Sequence, residues 1–146
     1  MNLSKLSVAA LCGCYLGAAH SAPRESEVMK PIHNFFSAFA RRDKDGLLAE
    51  VAPNIEVTSL RKGELRRLPI EKLSELIVAY RAGDISEPIY HPVIHIDDNL
   101  AVVWTSYRFL FNGKVDHCGT DIITLMKLHD RWLIVGLADN GREDCK

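Results

Sequence analysis

Residues 100–111 (LAVVWTSYRFLF), the turn Asn112-Gly113 and residues 114–128 (KVDHCGTDIITLMKL) decide the fold. Both flanks are rich in β-branched and aromatic residues, which fit a pleated, half-buried surface. Asn-Gly between them is a strong hairpin signal, because both central positions of a type I′ turn need positive φ. Working outward, Asp98-Asn99 separates this hairpin from residues 89–97. His129-Asp130 separates it from residues 131–139. The second half of the chain therefore reads as a four-stranded antiparallel meander.

The first half reads differently. Val28, Ile32, Phe35, Phe36 and Phe39 recur at the spacing of one helix face over residues 28–40. Pro31 is expected in the opening turn, where a missing N–H costs little. Asp43 is placed to cap a second, short helix carrying Leu47, Leu48 and Val51. Residues 55–60 and 64–68 form a small hairpin around Lys62-Gly63, whose Arg61-Lys62 and Arg66-Arg67 read as a solvated, charged edge. Pro69 then opens a third helix with Leu73, Leu76, Ile77 and Tyr80 on one side. Three helices followed by a meander make an α+β plan with the helices on one sheet face.

With 146 residues there is room for one domain. The chain is 47% hydrophobic and 25% charged, which excludes collagen-like and largely disordered classes. Its formal charge is −1 and no basic stripe with interleaved aromatics occurs, so nucleic acid is not an expected partner. Residues 1–21 read as a secretory signal: Lys5, an apolar run over 6–17, then Ala19-His20-Ser21 with small residues flanking a cleavage point. The run is too short to span a bilayer core about 30 Å thick, so no membrane association is expected once it is removed. A second reading makes Cys14 the lipidated residue of a lipobox-like Leu11-Cys12-Gly13-Cys14. With the signal removed after Ser21, residues 22–146 form the domain, in the periplasm or secreted. Of the four cysteines, Cys118 and Cys145 remain and suggest one disulfide, with two free thiols as the alternative.

Two-residue turns predict a register. Across Asn112-Gly113, Leu110 would face Val115, Arg108 His117, Ser106 Gly119 and Trp104 Asp121. Across Asp98-Asn99, His95 would face Val102, Val93 Trp104 and His91 Ser106. Opposed residues share a face. One face would thus collect His91, His95, Trp104, Ser106, Arg108, His117 and Asp121, and the other Tyr90, Val103, Tyr107, Phe109, Phe111, Cys118 and Ile122. A one-residue slip would scatter the first set. His91 and His95 lie about 13 Å apart along one strand, and so do His117 and Asp121. The two histidines cannot share one zinc, no metal site is expected, and His117 with Asp121 is no ready-made carboxylate–imidazole dyad. Well-separated polar groups among apolar ones suit a small-molecule pocket.

The whole mature chain resembles the nuclear transport factor 2-like superfamily. The resemblance rests on Phe36-Ser37-Ala38-Phe39 with Arg42-Asp43, and on Ala101-Val102-Val103-Trp104 with Tyr107-Arg108-Phe109 before Asn112-Gly113. His117-Cys118-Gly119-Thr120-Asp121 and Arg131-Trp132-Leu133-Ile134 add to it, and are similar to the small bacterial branch described as lumazine-binding or polyketide-cyclase-like. The resemblance implies a cone: three N-terminal helices packed on a curved antiparallel sheet of four long strands plus a small hairpin, with a pocket at the open end. It also implies Trp104 and Ile123 pointing inward, and a homodimer across an outer face bearing Tyr107, Phe109 and Phe111. Activity does not transfer, because this fold hosts isomerases, dehydratases, hydrolases and plain binding modules. Residues 28–40 hold no Tyr to act as the oxyanion donor of a ketosteroid isomerase, and no known catalytic set matches residue by residue.

The expected function is binding of a small, partly apolar molecule, without cofactor. Trp104 would stack on it, and Arg108, His117, Asp121, His91 and His95 would line the pocket. The alternatives are an isomerase, dehydratase or cyclase using Asp121 or His117 as general base, and a dimerisation module whose pocket is filled. Asp139-Asn140, at the end of the last strand, is a candidate for the cone mouth.

Overall fold

The computed structural model describes residues 21–145. The expected signal segment, Cys12 and Cys14 lie outside the described residues apart from Ser21, where the first helix starts. Three helices, α1 (Ser21–Arg41), α2 (Lys44–Ala49) and α3 (Ile70–Val78), pack on one face of a seven-stranded sheet. The strands are β1 (Glu56–Arg61), β2 (Glu64–Pro69), β3 (Ile85–Ser86), β4 (Ile89–Asp97), β5 (Leu100–Phe111), β6 (Lys114–Leu128) and β7 (Arg131–Arg142). Their order is β2-β1-β7-β6-β5-β3, with β4 also paired to β5. Val28, Ile32 and Phe35 of α1, with Val103, Ile123, Leu125 and Ile134 of the sheet, form the core.

Three expectations about the elements change. α1 starts seven residues earlier than its apolar stripe, and Pro31 lies inside it rather than in its first turn. The sheet is mixed rather than antiparallel, because β1 runs parallel to β7, while β1 and β2 form the expected hairpin. A parallel neighbour needs a long crossover, and the whole chain between β1 and β7 supplies it. β7 also runs on to Arg142, bringing Asn140 and Gly141 into register with β1.

Asp43 caps α2, its Oδ1 accepting from the Gly46 N–H at 2.9 Å. Arg42 leaves α1 at φ 57 and donates to the carbonyls of Tyr80, Arg81 and Gly83 at 2.7, 2.9 and 2.6 Å. That clamp fixes the segment after α3 that leads into β3 and Glu87.

The register differs from expectation at two bulges. Leu110 faces Val115 as predicted, but Phe109 then faces His117, which leaves Asp116 as an extra residue on β6. Asp116 turns to solvent and meets Arg81 at 3.0 Å. Beyond it every pairing is shifted by one: Arg108 opposes Cys118, Tyr107 Gly119, Thr105 Asp121 and Trp104 Ile122. On β4, His95–Val102 and Val93–Trp104 pair as predicted, but a second bulge makes Tyr90 rather than His91 the partner of Ser106. His91 sits in that bulge at φ 53. The helix-facing side of the sheet therefore carries Tyr107 and Phe109, both buried. Trp104 is 52% exposed on the other side, the reverse of what the family resemblance implied for these residues. Ile123 is buried in the core, in line with expectation.

Cys118 and Cys145 form a disulfide, with Cα atoms 5.8 Å apart, tying the tail beyond β7 to the outer side of β6. The closed loop spans 27 positions. Restricting such a loop in the unfolded chain is worth about 3–4 kcal/mol on the chain-entropy model. The Cys118→Ser/Cys145→Ser protein is expected to lose about that much unfolding free energy in urea titration, with the far-ultraviolet circular dichroism of the folded state unchanged.

Candidate functional site

Two cross-strand rows build the site. The first runs Thr105, Asp121, Asp139 and Ser59 across β5, β6, β7 and β1; the next runs Tyr107, Gly119, Gly141 and Arg61. Side chains at opposed positions share a face, so both rows look toward the helices. The two glycines give the second row its shape. A Cβ on Gly119 would collide with the Asn140 carbonyl and the Tyr107 ring, and one on Gly141 with the Arg61 guanidinium. Without those methyl groups, Tyr107 and Arg61 fold down over the sheet from opposite sides and converge on Asp139. Arg61 forms an ion pair with Asp139, and the Tyr107 hydroxyl donates to Asp139 Oδ1 at 3.4 Å.

Three carboxyls thus share a space with one guanidinium. Burial works against the Arg61 charge, but Asp139 and the groups behind it more than offset this, so its pKa is raised. Burial keeps Asp121 uncharged, pushed up to about 9, with Glu87 and Asp139 adding to the effect and Arg61 opposing it. Burial also pushes Glu87 up to about 8, helped by Asp139 and again opposed by Arg61. Tyr107 is raised for the same reasons, burial first and Asp139 second. At neutral pH the cluster therefore holds the Arg61–Asp139 ion pair and two protonated carboxyls.

Asp121 is 1% exposed. Its Oδ2 is the buried side-chain polar atom without a hydrogen-bond partner among the described residues. Such an orphan costs about 1–3 kcal/mol. Asp121 lines a cavity of about 150 Å³ whose apolar walls include Phe35, Phe36, Phe39 and Leu137, with Arg61, Glu87 and Asp139 as its other charged or titratable lining. Phe39, Arg61, Leu73 and Glu87 also line an outer cleft of about 640 Å³ beside α3, so the inner chamber adjoins the wider one at Glu87.

The residues expected to form one pocket are divided by the sheet. Asp121 faces the inner cavity. His117 lies on the same side but farther out, stacked on Phe109 at 4.9 Å between ring centres, with Nδ1 3.1 Å from Asp116 Oδ2. It lines the cleft. Trp104, Arg108, His95 and His91 are exposed, the first three on the opposite side of the sheet and His91 in its bulge. Arg108 lies over the Tyr90 ring at 5.6 Å. Sequence reasoning missed Glu87 and took Arg61 for a solvated edge residue; Tyr107 opposes Ile89 on β4. A usable signal was present in the alternation of Val57, Ser59 and Arg61 along one side of β1, whereas the glycines opposite Arg61 and Tyr107 depend on a register that only the tertiary structure shows.

The architecture is similar to the nuclear transport factor 2-like fold, as three solved structures illustrate. An NTF2-like protein of unknown function from Pseudomonas putida KT2440 is 16% identical, with a TM-score of 0.71 over 86% of this chain and 98% of that one. An NTF-2 like protein from Silicibacter pomeroyi DSS-3 is 13% identical, with a TM-score of 0.66 over 85% and 100%. A cystatin-like fold from Nostoc punctiforme is 12% identical, with a TM-score of 0.69 over 85% and 95%. Identities this low speak for the fold alone. No curated protein sequence matches the chain. The model of the family described as putative lumazine-binding matches residues 23–137, and the chain belongs to that family.

The raised Asp121 pKa gives a pH dependence of known sign. The unfolded chain releases this proton in the ordinary carboxylate range, near pH 4, while the folded chain keeps it to about pH 9. Folded protein therefore binds more protons between those limits, and stability falls as pH rises. Asp121→Asn should remove up to about 1.4 kcal/mol per pH unit of that fall. Urea unfolding between pH 5 and 8 measures it. Parallel slopes for the two proteins would mean that Asp121 is charged in the fold.

Proposed function

We propose that this domain binds a small, partly apolar molecule in the chamber between helices and sheet, where it receives a neutral hydrogen-bond acceptor at Asp121. The carrying observation is the unpartnered Asp121 Oδ2 beside an aromatic-lined cavity. A cavity of about 150 Å³ takes a single ring. The cleft beyond it lies within the usual range of ligand sites, about 300–1,000 Å³. The matched family's description, lumazine-binding, names a ring compound with carbonyl acceptors and is consistent with this reading. Of the six residues expected around the ligand, this reading keeps Asp121 in the chamber and His117 in the cleft wall.

A second reading has a specific observation behind it. A protonated Asp121 facing the Arg61–Asp139 pair puts a proton donor and a carboxylate in one water-poor space, the equipment of an isomerase or dehydratase acting beside a carbonyl. In that chemistry Asp121 serves as acid at rest rather than as base.

The domain is proposed to work outside the cytoplasm, on the strength of residues 1–21 and the Cys118–Cys145 disulfide. No described helix is long and apolar enough to cross a membrane. The outer sheet face bears exposed Val93, Trp104 and Ile122 in one cross-strand row, an apolar set suited to a second copy of the chain. Trp104→Glu should shift sedimentation from dimer to monomer; a monomeric wild type would remove that partner.

For the chamber, a thermal-shift series with cyclic ketones is the direct test. Stabilisation should survive in Trp104→Ala, survive at least in part in Asp121→Asn, which keeps an N–H donor, and vanish in Asp121→Leu. Stabilisation unchanged in Asp121→Leu would place the ligand elsewhere.

A further inference from the structure

The outer cleft adds a charge requirement that the inner chamber does not have. Its apolar wall includes Phe39 near the end of α1, Leu76 of α3, Tyr80 just beyond that helix, and Phe109 of β5. Leu76 is 49% exposed and Tyr80 36%, so these two leave apolar surface open to solvent beside the buried Phe109. Around it stand three arginines, Arg61, Arg66 and Arg81. The single carboxylate residue in the lining is Glu87. Arg61 is committed to Asp139. Arg66 meets Glu64 at 3.0 Å and Arg81 meets Asp116 at 3.0 Å, both in exposed pairs. Exposed pairs are held weakly, so either arginine can exchange its partner for a ligand anion at little cost. Arg81 is also seated on the Phe111 ring, 3.8 Å from its centre, which limits the freedom it would lose on binding.

Resting on the chamber reading above, we propose that the ligand is an amphipathic anion, its apolar body lying along the α3 wall and its carboxylate held at the rim by Arg66 and Arg81. Burial keeps Glu87 largely uncharged at neutral pH, so no negative charge in the lining opposes that carboxylate. The side chains sort by depth. Neutral acceptors are served by protonated Asp121 inside, apolar surface by the aromatic and leucine wall, and negative charge by guanidinium groups at the opening. Arginine suits the last position because its planar fork meets a carboxylate through two parallel hydrogen bonds.

Sodium decanoate, below its micelle concentration, and decan-1-ol are matched probes differing in charge. Isothermal titration on the full folded chain should give decanoate the tighter binding, weakening as salt is added. Arg66→Gln/Arg81→Gln should weaken decanoate by roughly tenfold or more and leave decanol within about twofold. Arg66→Lys/Arg81→Lys should restore part of the loss, and unchanged melting temperatures would show that all variants fold. Equal binding of the two probes, or a double variant that binds decanoate like wild type, overturns the anion assignment and leaves the apolar chamber standing. Binding of neither probe removes the cleft as a ligand site. Asp121-dependent stabilisation by cyclic ketones is read separately, so failure here and failure of the chamber reading are distinguishable.

Discussion

One extra residue, Asp116, sets the interior of this protein. A strand alternates its side chains with period two, so a single inserted residue exchanges the two faces for everything beyond it. Asp116 swings out to Arg81. From that point β6 presents His117, Gly119, Asp121 and Ile123 to the helices, opposite Phe109, Tyr107, Thr105 and Val103. Had β6 continued without the bulge, Asp121 would have paired with Trp104. Tyr107 and Phe109 would then have faced away from the residues they now pack among. The bulge therefore decides both what the core is made of and which acid is buried.

Burying Asp121 has consequences that the rest of the site answers. Three carboxyls around one cation cannot all ionise in a poorly solvated space. Asp139 takes Arg61, and Asp121 and Glu87 stay protonated. The glycines at 119 and 141 make this arrangement possible by leaving the sheet surface bare where Tyr107 and Arg61 must lie. The cost is the orphaned Asp121 oxygen, a destabilising feature of a kind that folded proteins keep mainly at sites that bind something. Aromatic surface, the Arg61–Asp139 pair and a neutral donor share the chamber, while Arg66 and Arg81 stand farther out along the cleft.

Much of the fold was legible in the residues. The Asn112-Gly113 turn, the helical spacing of Val28, Ile32, Phe35 and Phe39, the Asp43 cap and the Lys62-Gly63 hairpin all appear where the sequence places them. The limits of β4, β5 and β6 match as well, because turn residues with special φ/ψ requirements punctuate them. The length of α1 was not legible, since residues 24–27 are polar and exposed and carry no apolar periodicity. The pairing of β1 with β7 was not legible either, because no local signal says which distant strand lies alongside.

The site divides in the same way. Sequence alone determined that Asp121 and His117 belong to one face of one strand, because alternation along a chain is local geometry. It also picked out Cys118 and Cys145 as the pair to be joined. Which residues share a chamber with Asp121 was decided only in the tertiary structure. That choice depends on a bulge the alternation pattern does not announce, and on Arg61 and Glu87 arriving from segments some 60 and 34 positions away in the chain. Protonation was settled there too, since a carboxyl's charge follows from burial and neighbouring charges rather than from its place in the sequence.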